Sequence, residues 1–174
     1  MSSNTLPQGF RGAGIAAGIK NSGAKDLALI VNDGPELFGS AVFTSNQVVA
    51  APVTWTRQVI KDHTIAAVLL NSGGANACTG VDGFADTHRS AEKVAQALSV
   101  SASDVAICST GLIGVRLPMD AILSGTTSAV SNLANDSLED IARAIMTTDS
   151  KPKLARTSVN GTIFTGIAKG AGML

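Results

Sequence analysis

The chain has no excess charge of either sign, since thirteen Lys and Arg are matched by thirteen Asp and Glu. A basic stripe able to hold a phosphate backbone is not implied, so nucleic acid is excluded as the expected partner. Apolar runs of membrane-spanning length are also missing. Segments such as Ile65 to Leu70 fall far below the ~20 residues a spanning helix needs. Met1 to Gln8 shows no basic stretch followed by an apolar core, so it does not read as a secretory leader. A soluble, cytoplasmic protein without membrane contact is the expectation.

Histidine and cysteine are scarce, with two of each. Cys78 and Cys108 read as small buried thiols rather than a disulfide. His63, in a polar Lys-Asp-His-Thr turn, reads as solvated, and His88 as a packing or surface residue on a helix. No metal-ligand spacing arises, so metal catalysis is not expected. A Walker loop, a dinucleotide fingerprint and a Gly-x-Ser-x-Gly elbow are likewise absent. Nucleotide binding by those motifs is unsupported. Neither Ser72 nor Ser109 can then be read as the nucleophile of a serine hydrolase triad.

What is present is a single domain, residues 1–174, long enough for one core. Short β-branched runs bounded by Gly, Asn, Ser or Asp predict strands over Asp26 to Asn32, Ala41 to Thr44, Thr64 to Leu70 and Val105 to Cys108. Asn160-Gly161 between Leu154 to Val159 and Thr162 to Thr165 predicts a hairpin, because both turn residues tolerate positive φ. From Asp82, Phe84, Ala91, Val94, Ala95 and Leu98 share one helical face. Pro118 at a first turn announces a second helix through Leu133. Ser137 with Asp140 resembles a capping box for a third that carries Leu138, Ile141 and Ile145. Strands come first and helices crowd the middle. The predicted class is therefore α+β, with helices covering one face of a mainly antiparallel sheet. The Gly-rich opening, Gly9 to Gly23, predicts an ordered loop or an edge strand.

Two predicted strands run into small-residue loops, Asn71 to Ala77 and Ser109 to Gly114. Small side chains expose backbone N–H groups, as an oxyanion hole or anion cradle requires. Tight turns account for the spacing equally well. Met146-Thr147-Thr148-Asp149 closes the third helix, followed by Lys151 and Lys153. Side-chain bonds to backbone and lysines complementing the helix dipole suffice to explain it. Lys169 stands apart, in Ala168-Lys169-Gly170-Ala171-Gly172. A lone lysine among glycines and alanines covers little apolar surface, which points to carboxylate binding. The sequence stops at Gly172-Met173-Leu174 without a polar tail, and a partner segment is the expectation.

In combination these motifs resemble the ornithine acetyltransferases of arginine biosynthesis, the ArgJ family. The likeness runs through Gly9-Phe10, Ala17-Gly18-Ile19-Lys20, Asp26 to Leu29, Val42-Phe43-Thr44, Ala51-Pro52-Val53, Asn71 to Gly80, Cys108 to Gly114, Leu117-Pro118-Met119, Ala144 to Asp149 and Lys169 to Met173. The resemblance implies a layered α/β/β/α-like sandwich shared with some self-processing aminopeptidases. It implies an acyltransferase that moves acetyl from N-acetylornithine to glutamate through an acetyl-threonine, without a cofactor. It also implies a precursor that cuts itself before that threonine. This sequence resembles the amino-terminal α chain, with the nucleophile beyond Leu174 on a β chain and an α2β2 heterotetramer as the assembly. By motif match, Thr110 and Gly111 take the oxyanion-hole positions, and Thr147 and Lys169 the substrate-binding positions. The same motifs serve multifunctional members that also use acetyl-coenzyme A, so the motifs leave that donor open. Two alternatives are a self-processing aminopeptidase of related fold and a non-enzymatic anion-binding module.

Overall fold

The computed structural model describes residues 4–171. In chain order the elements are β1 (Phe10–Ile15), β2 (Leu27–Asn32), α1 (Ala51–Val59), β3 (Ala67–Gly74), α2 (Gly80–Leu98), β4 (Val105–Leu112), α3 (Met119–Ser131), α4 (Leu138–Ala144), β5 (Lys153–Val159) and β6 (Thr162–Ala168). The order β1-β2-β3-β4 forms one sheet, and β5-β6 stands as a hairpin. Pairing is antiparallel for β1–β2, β2–β3 and β5–β6 and parallel for β3–β4, so the fold is α+β with a mixed, mainly antiparallel sheet.

The period-2 alternation of β2 divides the interior in two. Leu27, Leu29 and Val31 join Leu69, Val105 and Ile107 in one core with Trp55 of α1, Val94 of α2 and Ile122 of α3. Ala28 and Ile30 face the other way, where Leu138, Ile141 and Ala144 of α4, Ile145 just after it and Ile167 of β6 meet them. Each fully buried Leu or Ile here contributes roughly 1.5–3 kcal/mol. The expectation that the helices cover one face is therefore corrected. Three do, and α4 with the hairpin lies on the opposite face, because the apolar stripe of α4 is matched by the even-numbered residues of β2.

Further corrections are local. Ala41 to Thr44 is not a strand: Val42 is 99% exposed. Side chains there bond backbone, with Asn46 N–H donating to Thr44 Oγ1 at 3.1 Å and Val48 N–H to Asn46 Oδ1 at 3.0 Å, in competition with a ladder. The helix α1 escaped the pattern reading because Val53, Thr54, Thr56 and Val59 are poor helix formers. Tertiary contact stabilises it. Trp55 Nε1 donates to Val105 O and Thr56 Oγ1 to Ile107 O, both at 2.9 Å, so α1 satisfies backbone along β4. Ser137 precedes α4 but makes no capping bond there; its hydroxyl donates to Ala134 O at 3.0 Å. Cys78 and Cys108 are free, as read, but exposed rather than buried. Asn160 and Gly161 hold positive φ and turn the predicted hairpin. Among the described residues, no helix is long and apolar enough to cross a membrane.

Candidate functional site

Parallel pairing of β3 and β4 continues into the segments predicted as loops. Asn71 lies beside Ser109, Ser72 beside Thr110 and Gly73 beside Gly111, with a register shift at Gly73/Gly74. Asn71 Nδ2 closes this bulge by donating to Gly74 O at 3.0 Å. At Gly111 φ is +133°, and a Cβ would stand 2.5 Å from Gly73 C and 2.6 Å from Gly74 N. Only glycine lets the two backbones approach so closely. Thr110 is thereby fixed at the rim of the sheet, between a buried serine and a glycine that admits no side chain.

Behind this rim, fully buried Ser72 donates from Oγ to Ala144 O at 2.6 Å, tying β3 to the end of α4. The chain leaves α4 through Ile145 and bends at residues 146–149. Buried Asp26 accepts the N–H groups of Ala17 and Ile19 at 2.7 Å and of Lys20 at 2.8 Å, folding the Gly-rich opening into an ordered turn. That turn delivers Lys20 Nζ to Met146 O at 2.7 Å and Lys25 O at 3.1 Å. Burial pushes the Lys20 ammonium below its ordinary pKa, opposed by Asp26 and Asp149 and reinforced by Lys169.

Asp149 closes the bend. Its Oδ2 accepts Thr147 N–H at 3.0 Å and its Oδ1 accepts Gly170 N–H at 2.6 Å, while Lys153 Nζ pairs with the same carboxylate. The Lys153 bond first, then the two backbone N–H donors, hold this carboxyl well below the usual carboxylate range. Immediately before Gly170, half-buried Lys169 donates from Nζ to Thr110 Oγ1 at 2.9 Å. An ammonium only donates, so the hydroxyl oxygen accepts and its own hydrogen is left to donate elsewhere. Among the described residues, Lys20, Lys153 and Lys169 gather around Asp26 and Asp149, a grouping of positive charge suited to an anionic ligand.

All four predicted site residues thus come together. Thr110 and Gly111 are consecutive on β4, Lys169 reaches Thr110 directly, and Thr147 joins them through Asp149 and Gly170. The predicted nucleophile and Met173-Leu174 lie outside the described residues. His63 stacks on Phe38 at 5.5 Å between ring centres, and His88 packs 5.0 Å from Trp55; neither enters the cluster. Sequence reading missed the parts played by Ser72, Lys20 and Asp149. For Asp149 a signal existed, a carboxylate directly after two threonines, and the backbone-bonding account of it is also true. Its second partner, Gly170, is remote in sequence.

A model of the ArgJ family matches residues 11–174. The chain is 56% identical over 170 residues to the arginine biosynthesis bifunctional protein ArgJ of Streptomyces avermitilis, covering 98% of this chain and 44% of that protein. To the protein of the same name from Mycobacterium tuberculosis it is 55% identical over 178 residues, with the same two shares of 98% and 44%. The chain therefore spans somewhat less than half the length of these curated relatives. The crystal structure of ornithine acetyltransferase complexed with ornithine from Mycobacterium tuberculosis aligns with a TM-score of 0.96 at 52% identity, covering 100% of this chain and 95% of that one. An ArgJ structure from Bacillus halodurans aligns with a TM-score of 0.86 at 36% identity, covering 99% and 91%.

Proposed function

The chain belongs to the ArgJ family, and from that premise we propose that it is the α chain of an acetyltransferase that moves acetyl from N-acetylornithine to glutamate. The observation that carries the proposal is the 2.9 Å bond from Lys169 to Thr110. It couples a cation able to hold a carboxylate to a hydroxyl able to stabilise an oxyanion.

The nucleophile in this reading is a threonine that opens a β chain cut from the same precursor. Its free α-amino group, with an unperturbed pKa of about 8, takes the hydroxyl proton near neutral pH. The threonine oxygen bonds to the acetyl carbon, and the carbonyl oxygen becomes an oxyanion met by the Thr110 hydroxyl and the Gly111 N–H. Loss of one such donor raises the barrier by ~3 kcal/mol. The amide C–N bond then breaks and ornithine leaves with the proton. The amine of glutamate attacks the acetyl ester, releases N-acetylglutamate and restores the threonine. Lys169 has two further N–H groups beyond the one given to Thr110, and these hold the α-carboxylate of each substrate in turn, with Thr147 beside them.

Exposed apolar surface supports a β chain as partner. Leu112 is 66%, Ile113 57% and Val115 55% exposed just beyond Gly111, and Phe164 of the hairpin is 54% exposed. Val68, Ala106 and Cys108 line an open cavity of about 260 Å³ together with Ile30 of β2 and Thr56 of α1. Apolar surface of this kind marks an interface; an α2β2 assembly in the cytoplasm is the proposed form. The test is incubation of the full-length, matured protein with N-acetylornithine and glutamate. N-acetylglutamate is expected, and its absence overturns the proposal. Lys169→Met should raise KM for both substrates, by an amount on the order of 2–5 kcal/mol of binding.

A further inference from the structure

Asp149 is the hub of the cluster and is itself closed to solvent, its side chain being 0% exposed. Its partners come from two segments, Thr147 beside it and Gly170 twenty-one positions on. Lys153 pairs with the same carboxylate and also donates to Gly170 O at 2.9 Å. Gly170 is therefore gripped at its N–H by the carboxylate and at its carbonyl by the ammonium. It is buried and holds φ at +113°, so the bend that follows Lys169 is fixed in a conformation L side chains rarely adopt. The Lys169 side chain reaches Thr110 from this anchored backbone.

Resting on the reading above, we propose that Asp149 is the positioning residue of the site: its carboxylate locks Thr147 and Lys169 together and so places Lys169 Nζ on Thr110 Oγ1. A buried carboxylate costs stability unless every strong partner is in place, and an apolar residue fills such space at lower cost. What the carboxylate adds is direction. It gathers the N–H groups flanking both proposed substrate contacts while standing aside from them. Lys20, bonded to Met146 O, holds the start of the same bend.

The test uses full-length, matured protein with kinetics expressed per active site. Asp149→Ala should raise KM for both N-acetylornithine and glutamate, on the order of 10- to 100-fold, because a misplaced group of this kind costs that much. Asp149→Asn keeps one acceptor and should fall between Ala and the parent. Lys153→Met frees Gly170 O but leaves both N–H bonds to Asp149 and should give a smaller rise of the same kind. Arg143→Ala, which breaks only an exposed pair with Glu139 on α4, should leave both KM values unchanged. A crystal structure of the Asn variant should show Lys169 Nζ displaced from Thr110. Should the Ala variant not accumulate, Asn and Lys153→Met decide the question. A lowered melting temperature with unchanged KM, or an undisturbed Lys169–Thr110 contact, overturns the proposal. A parent protein without acetyl transfer overturns the acetyltransferase reading alone, and the crystal structure then still decides the positioning.

Discussion

Gly111→Ala should be far more damaging than Gly114→Ala, although both glycines lie in one short segment at positive φ. At Gly114, φ is +82° and nothing stands within 4 Å of an added Cβ. The cost there is the left-handed strain alone, about 1–2 kcal/mol. At Gly111 the methyl would meet the Gly73 and Gly74 backbone at 2.5 and 2.6 Å. Backbone strain of about 1–3 kcal/mol is then joined by overpacking of about 1–3 kcal/mol, because backbone cannot swing aside as a side-chain end can. The sum is about 2–6 kcal/mol, and relief requires β3 and β4 to part where Thr110 is held. Thermal melting of the full-length protein reads this directly, at roughly 2–4 °C per kcal/mol for a domain of this size. Gly111→Ala should lower the midpoint at least twice as far as Gly114→Ala and should reduce turnover as well. Equal tolerance of the two substitutions would refute the claim that backbone contact between β3 and β4 fixes the rim.

Ser72→Ala should destabilise by about 1–3 kcal/mol, since it leaves the Ala144 carbonyl without its buried donor; urea denaturation checks it. Arg116→Ala should lower the melting temperature, because Arg116 meets the buried Asp86 carboxylate through Nε at 2.9 Å and Nη2 at 2.8 Å. The same change should leave residues 113–117 more open to proteolysis. For Asp149, whose folded pKa is depressed, the stabilisation should be complete above the unfolded carboxylate value of about 3.9. It should be lost only as pH falls below that value toward the folded one, so the stability gap between parent and Asp149→Asn should stay flat from pH 5 to 8. A gap that closes within that range would refute the pairing.

The hairpin at Asn160-Gly161, the stripe of α2 and the start of α3 at Pro118 were legible because local chemistry and tertiary structure agree there. The helix α1 was not, since its β-branched residues oppose helix formation and it is stabilised by tertiary contact, through the bonds of Trp55 and Thr56 to β4 and the packing of Trp55 on Phe84 and His88 of α2. The small-residue segments after Leu70 and Cys108 were taken for loops, with an anion cradle and tight turns left equally open. Small size alone does not reveal that Gly73 and Gly111 continue a parallel pairing by touching backbone to backbone. Lys169 stood out by its lack of apolar neighbours. Its bond to Thr110 joins residues 59 positions apart, a distance that local pattern does not span. Asp149 was visible as a bonder of nearby backbone, and its grip on Gly170 emerged only from the fold.

The central claim is that acetyl transfer passes through an acetyl-threonine beside Thr110 and Lys169. Its most direct test is intact-mass spectrometry of the matured full-length protein, quenched after mixing with N-acetylornithine in the absence of glutamate. The expected result is a gain of one acetyl group on the chain that opens with threonine, with one ornithine released per site and loss of the label when glutamate is added. Transfer of acetyl to glutamate with no acetylated chain at any quench time would contradict it.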